Sequence, residues 1–446
     1  MHTDNMPTRT SLWAVAMLGA LLVAEVLGWI ASDSDSARAA IVCAVMALLL
    51  LPAVLRLSLR KPVWIPRLTP TYATIALAFA LIGFYALVVA LFRGNDRYYI
   101  AADLYHWYIE LLLMAAVTLW VLGHAQPVGV ARTIALYGLI VGLLGLAVVA
   151  LGSVGLSTRG GHYVRSLGVL RLIIGRGTPQ LLLIVVTTAL WYSRYWDRAT
   201  RLLLLAAWLL LLLCLAATLK RTLWISFPIA AAVAILPRRI LLLVGIALLF
   251  WVPMLAVMGF VFPDLLADLL HQAANLLTYN PSFTIEETLA RRGTQLQSVW
   301  PYVLDNPLGY GFGAEIYAFW TRGQTYAEVH YIHNLYAYYV LQLGIAPVVI
   351  LAMLALWLAQ TFFDVYDQPT AWSFCARAGL GCLIALALNG ASLVPTHTIF
   401  AGFAIGVGVL GAVKCRAVRT EKAKSTAVRG AQLPAPAAAP APECSA

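Results

Sequence analysis

Apolar stretches of about twenty residues recur from Leu12 to the neighbourhood of Lys414, and no other feature constrains the chain so tightly. A helix rises about 1.5 Å per residue and a hydrocarbon core is about 30 Å thick, so each stretch matches one crossing. The balance of 62% hydrophobic and 11% charged residues lies far from that of a soluble domain. Lipid must therefore be the solvent for most of the chain. The spans fall near residues 12–30, 39–55, 70–92, 104–123, 133–152, 179–193, 202–219, 223–236, 240–261, 334–360, 375–391 and 398–413. The first has a weakly basic start, carries Glu25 and lacks a small-residue cleavage site, so it reads as a retained helix and not a signal peptide. The stretches 179–193 and 223–236 are shorter than a full crossing, which implies tilt, extension by flanking residues or partial re-entry.

These spans describe an all-α polytopic membrane protein of about twelve transmembrane helices. Helices one to nine occupy residues 1–261, one large external helical segment covers 262–333, and the last three helices occupy 334–414. Amphipathic stretches at Leu265 to Leu277 and Ile285 to Leu304 make the external segment helical in expectation. Residues 415–446 form a tail, basic at first and then, from Leu433 to Pro442, too rich in Ala and Pro to bury a core.

Lys and Arg concentrate in the cytoplasmic loops of bacterial-type membrane proteins, which orients the chain. With the N-terminus inside, Arg56, Arg60, Lys61 and Arg67, then Arg194, Arg198 and Arg201, then Arg238 and Arg239, and finally Lys414 to Arg429 all lie in cytoplasm. The net charge of +11 owes much to this topology, and no motif or basic stripe supports nucleic-acid binding. The exceptions are more informative. Arg159, Arg165, Arg171 and Arg176, the hairpin tip Lys220 and Arg221, and Arg291 and Arg292 all fall outside. Guanidinium groups at the outer boundary suit a dianionic pyrophosphate, because each charge-assisted hydrogen bond contributes about 1.5 to 3 kcal/mol. Contact with lipid headgroups is the plainer reading of any single one.

In the external segment a helical pattern gives way to Asn306-Pro307-Leu308-Gly309-Tyr310-Gly311-Phe312-Gly313. Three alternating glycines permit positive φ and close backbone approach, but no strand-to-helix context supports dinucleotide binding. Then comes His330-Tyr331-Ile332-His333-Asn334, with His333 at the outer mouth of the tenth helix. Taken together, these residues resemble the O-antigen ligases and the related O-antigen polymerases and protein O-oligosaccharyltransferases. Three features carry the resemblance. They are the tip Lys220-Arg221-Thr222, the stretch from Trp300 to Gly313 preceded by Arg291 and Arg292, and His333-Asn334 leading to Leu341-Gln342-Leu343-Gly344. Much of that family has an arginine about four residues before the tryptophan; here Leu296 stands there, and both earlier arginines are candidates.

The resemblance implies a GT-C-like glycosyltransferase architecture in the bacterial inner membrane, with the external segment and active site in the periplasm. It implies inverting transfer, without metal or cofactor, of a glycan from undecaprenyl pyrophosphate to a hydroxyl of lipid A-core. Pyrophosphate is already a good leaving group and needs neutralisation more than protonation. The acceptor hydroxyl benefits from a base, and an imidazole titrating near neutral pH suits that task. His333 is the candidate base, with Arg221, Arg291 and Arg292 on the pyrophosphate. Arg159, Arg165, Arg176, Lys220, His330, Tyr310 and Trp320 are candidates for substrate binding, and Tyr317 and Tyr331 join the last two as platforms for sugar rings.

Other readings stay open. His330 with His333 has the spacing of a metal pair, and Asp33-Ser34-Asp35 resembles the acidic pair of some metal-dependent transferases. His162 and His271 read as loop and surface residues. Glu25 and Glu110 fall within or near spans, and Asp103, Tyr98 and Tyr99 are candidates to face the same external cavity. A polymerase or protein glycosyltransferase would share the donor chemistry. A lipid or sugar transporter would also use twelve helices, but it would favour a midplane site and repeated halves, which the sequence does not display. Six cysteines offer no external pair for a disulfide, and many of the fourteen tryptophans stand at span ends as interfacial anchors.

Overall fold

The computed structural model describes residues 70–122, 126–153, 177–217, 221–241, 285–320, 325–330, 332, 334–390 and 399–431. The expected spans 12–30 and 39–55, nearly all of 240–261, the stretch Leu265 to Leu277, Glu25, Asp33, Asp35, His162, His271 and the tail after 431 lie outside the described residues.

Eleven α-helices are described: α1 (Pro70–Arg93), α2 (Arg97–Leu122), α3 (Pro127–Ser153), α4 (Thr178–Trp191), α5 (Arg198–Ala217), α6 (Arg221–Ile235), α7 (Ile285–Asp305), α8 (Leu335–Leu343), α9 (Ile345–Phe363), α10 (Ser373–Gly390) and α11 (Ile399–Ala431). Strands β1 (Ile316–Trp320) and β2 (Thr325–Val329) form one antiparallel hairpin between α7 and α8. Among the described residues, six helices are long and apolar enough to cross a membrane. The protein is a mostly helical membrane protein.

Proline opens α1 and α3 and stands second in α4, where its missing N–H would have had no helical partner anyway. The short helices α4 and α6 stay short, with 14 and 15 residues. Every residue from Leu181 to Val186 is buried, so α4 is a central post rather than a lipid-facing span. Helices α3, α5, α6, α10 and α11 pack around it. Helices α10 and α11 approach closely: a Cβ on Gly379 would stand 2.5 Å from the Gly408 Cα. Lipid does not drive apolar helices together, so such close van der Waals contact between small residues carries the association.

The bundle has two distinct ends. At one, the 192–197 turn, the end of α6 and the 364–372 loop meet, with the buried Arg377 donating to Tyr366 O and Ile235 O, both at 3.0 Å. Arg132 pairs with Asp197 at 3.0 Å there, and Arg238 lies over the Phe363 ring. The other end holds the α1–α2 tip, the starts of α6 and α9, the end of α10, and the α7–hairpin unit packed on α8.

The structure corrects three sequence expectations. The stretch 334–360 is not one helix: Gly344, at φ +82°, breaks it into α8 and α9. The segment before it is not wholly helical, since Ile316, Ala318 and Val329 turn inward with the period of two that makes a hairpin. The last helix does not end near 413 but runs to Ala431, because the basic stretch is a good helix former and needs no apolar face once it leaves the bundle.

Candidate active site

The three alternating glycines all adopt left-handed conformations, with φ of +88° at Gly309, +80° at Gly311 and +72° at Gly313. Each presses on a different element. A Cβ at Gly309 would lie 2.4 Å from Gly344 N, at Gly311 2.4 Å from Ala90 N, and at Gly313 2.7 Å from Ile100 N. The turn is thus a backbone wedge between α1, α2 and the α8–α9 break. Hydrogen bonds fix it: Tyr310 N–H donates to Leu341 O and Gly311 N–H to Gln342 O, both at 2.8 Å, and Ile345 N–H donates to Pro307 O at 2.9 Å. From the α1–α2 tip, the Asn95 amide donates to Tyr310 O at 2.9 Å and Phe312 O at 2.8 Å. Stretches separated in sequence, Pro307 to Gly313 and Leu341 to Gly344, form one joint.

Beneath the turn lies a buried carboxylate. Asp103, on the second turn of α2, is 5% exposed and has four donors around it. Gly313 N–H donates to Oδ2 at 2.7 Å and the Gln342 amide to the same oxygen at 2.5 Å. The Tyr338 hydroxyl donates to Oδ1, and His330 Nε2 is 3.3 Å from it. His330, also 5% exposed, has its Nδ1 3.0 Å from Ala314 O, and its ring stacks on Tyr99 at 4.2 Å between centroids. Nε2 also lies 3.4 Å from the Tyr338 hydroxyl, so the ring is held on both edges, by Ala314 O on one and by Asp103 and Tyr338 on the other. Gln342 Oε1 is buried without a partner among the described residues.

His330 leads directly to position 333. Ile332 is fully buried, and Asn334 caps α8, its side-chain oxygen accepting from Ala337 N–H at 3.0 Å. The residues on both sides of 333 are thereby held. From the first turn of α8, the Tyr336 hydroxyl donates to Ala387 O near the end of α10. Asn389, in the same last turn, closes a buried triangle with Gln180 of α4 and Ser226 of α6. The Asn389 amide donates to Gln180 Oε1 at 2.7 Å, the Gln180 amide to Ser226 Oγ at 2.6 Å, and Ser226 Oγ lies 2.7 Å from Asn389 Oδ1. This relay ties the start of α6, where Arg221 stands, to the first turn of α8.

Residues 205–352 match the sequence profile of O-antigen ligases. Over that segment the chain is similar to the O-antigen ligases. No curated protein and no solved structure matches the chain. The matched segment runs from α5 into α9 and so includes the start of α6, the glycine turn and the α8–α9 joint. Asp103 lies before it in sequence, and the matched segment is thus clamped to α2 by a carboxylate from outside its own limits.

His333, Arg159, Arg165, Arg176, Lys220 and Tyr331 lie outside the described residues. Arg221 is the first residue of α6, and Arg291 and Arg292 stand two turns into α7. Trp320 ends β1. Tyr310 is half-buried, with the Arg93 guanidinium 4.4 Å over its ring and its hydroxyl 3.3 Å from Asp305. Burial raises the Tyr310 pKa and Asp305 adds to this, so the phenol stays a neutral donor. His330 faces Asp103 and Ala314 O with both nitrogens, a scaffold position rather than the open substrate contact expected of it. Two features escaped the sequence reading: the depth of Asp103, and the exposed Arg93 and Arg97 at the α1–α2 tip beside the turn. A charged residue within an apolar run was the signal for Asp103. For the two arginines, the signal was a basic pair flanking a short external turn.

Proposed function

We propose that this protein is an O-antigen ligase of about twelve transmembrane helices and GT-C-like architecture, moving a glycan from undecaprenyl pyrophosphate to a lipid A-core hydroxyl. The observation that carries the reading is the joint between the glycine turn and the α8–α9 break, linked through Tyr336, Asn389 and Ser226 to the start of α6. Of the candidate residues, Arg221 opens α6, and His333 directly precedes Asn334, the cap of α8, in sequence. The opposite end of the bundle carries Arg132, Arg194, Arg198, Arg201, Arg238 and Arg239, so the positive-inside bias turns the joint outward, toward the periplasm of an inner-membrane protein.

His333 takes the proton of the acceptor hydroxyl as its oxygen attacks the anomeric carbon from the face opposite the pyrophosphate. The bond to the pyrophosphate oxygen breaks, the configuration inverts, and Arg221 with Arg291 and Arg292 stabilises the charge on the departing group. Arg159, Arg165, Arg176 and Lys220 supply further positive charge, and Tyr310 and Trp320 offer rings to the sugars. No metal ion or cofactor enters this scheme. The test is reconstitution with labelled lipid-linked glycan and, in separate reactions, lipid A-core, a peptide acceptor or a second donor. Transfer to lipid A-core that is lost in His333→Ala and in Arg221→Ala, with both variants normally folded, is the expected result. Full turnover by His333→Ala, or transfer only to another acceptor, overturns the proposal.

A further inference from the structure

Helix α7 is amphipathic in an unusual way, because it has two apolar flanks. One packs inward, with Val299 and Val303 buried against β1 and α8. The other is open. Leu296 is 39% exposed, Trp300 57% and Leu304 63%, at the four-residue spacing that keeps side chains along one line of a helix. Leu308, just past the helix, is 67% exposed and prolongs the series.

The position of Leu308 shows what this flank meets. Its carbonyl accepts from the Tyr85 hydroxyl of α1 at 2.6 Å, and the neighbouring Pro307 O accepts from the first N–H of α9. At that point the outward stripe of α9 begins, with Ile345, Val349, Met353 and Leu356 all exposed on a helix fit to span a membrane. On α1, Leu77, Leu81, Phe84 and Leu91 are likewise exposed. The open flank of α7 thus starts where the lipid-facing surface of two spans ends. A water-exposed line of three leucines and a tryptophan would be costly, and a tryptophan is favoured at the boundary between headgroups and acyl chains.

We infer that α7 lies on the membrane surface, with Leu296, Trp300, Leu304 and Leu308 set into the boundary between lipid headgroups and acyl chains. The occupant of this flank is the bilayer itself. The helix then acts as a depth gauge, holding the glycine turn at the height of the headgroups. The inference depends on no assumption about the reaction.

The test uses the full chain in liposomes, with an environment-sensitive fluorophore on a cysteine introduced as Trp300→Cys or Leu304→Cys. Tyr317→Cys on the outer face of the hairpin is the aqueous reference, and the labelling of the parent chain is subtracted. The described native cysteines are buried. Lipids brominated high in the acyl chain should quench the labels at 300 and 304 at least three-fold more than the label at 317, while aqueous iodide shows the reverse order. Iodide quenching at 300 and 304 equal to that at 317 overturns the inference, as does shielding from both quenchers, which would mean that protein covers the flank. Should Trp300→Cys fail to fold, Leu296→Cys and Leu304→Cys decide the matter.

Discussion

Replacing Asp103 tests the central joint, because its two natural substitutions have different costs. Asp103→Ala strips the acceptor from Gly313 N–H, the Gln342 amide, the Tyr338 hydroxyl and His330 at once. At about 1 to 3 kcal/mol for each buried donor left unpaired, four independent losses would reach about 4 to 12 kcal/mol. Water entering the space left by the carboxyl lowers that sum, so we expect its low end, about 4 kcal/mol. Asp103→Asn is milder. Its remaining oxygen keeps Gly313 and Gln342, while its new amide turns to Tyr338 and His330. The hydroxyl can rotate to accept from that amide, for a cost of about 1 to 2 kcal/mol. Unfolding in mixed micelles of rising dodecyl sulfate fraction, followed by circular dichroism, measures both. His330→Ala should also cost much less in the Asp103→Ala background than alone, since the two residues share one interaction. Equal effects of Asn and Ala, or strict additivity with His330→Ala, would refute the picture of a fully engaged hub.

Gly311→Ala should disrupt the wedge, with strain of about 1 to 3 kcal/mol from its positive φ and a backbone clash in addition, whereas Gly94→Ala, at φ +70° with open space around it, bears the φ cost alone; comparable losses of micelle stability in the two would contradict the close packing on α1. Asn389→Leu should destabilise by about 2 to 3 kcal/mol by leaving Ser226 and Gln180 short of partners in lipid-buried surroundings, and should impair glycan transfer more than Leu388→Ala on the exposed side of the same turn; transfer rates that match between the two would separate the triangle from the site. At the opposite end, the Thr200 hydroxyl and then Arg132 hold the Asp197 carboxyl below its usual range. A depressed carboxylate contributes stability above its unfolded pKa near 3.9 and loses it as pH falls through the folded value, so Asp197→Asn should weaken the protein slightly at neutral pH, by less than about 1 kcal/mol for so exposed a pair, and match wild type once the pH is below the folded value. A difference that grows on acidification would reverse that sign.

Hydropathy is a local property, and local properties were legible. The run at 70–92 is helix Pro70–Arg93, the run at 375–391 is Ser373–Gly390, and the two short apolar runs are short helices. The glycines of the turn were readable as positions needing positive φ, because no other residue takes that conformation at low cost. The likeness to O-antigen ligases over residues 205–352 was legible too, from the order of motifs.

What the glycines press against was not legible, nor was the break at Gly344, since Leu341 to Gly344 alone continue a helix well enough until Pro307 and Leu308 occupy the space beside them. Asp103 shows the limit most clearly. An acid in an apolar run announces that some partner exists, but its oxygen meets a histidine 227 residues away, and that pairing follows from the rotation and depth of α2 against α8. Such long-range polar contacts are selected by packing, in which each helix face is fixed by all its neighbours together. Sequence spacing determines which faces exist; the tertiary structure decides which of them meet.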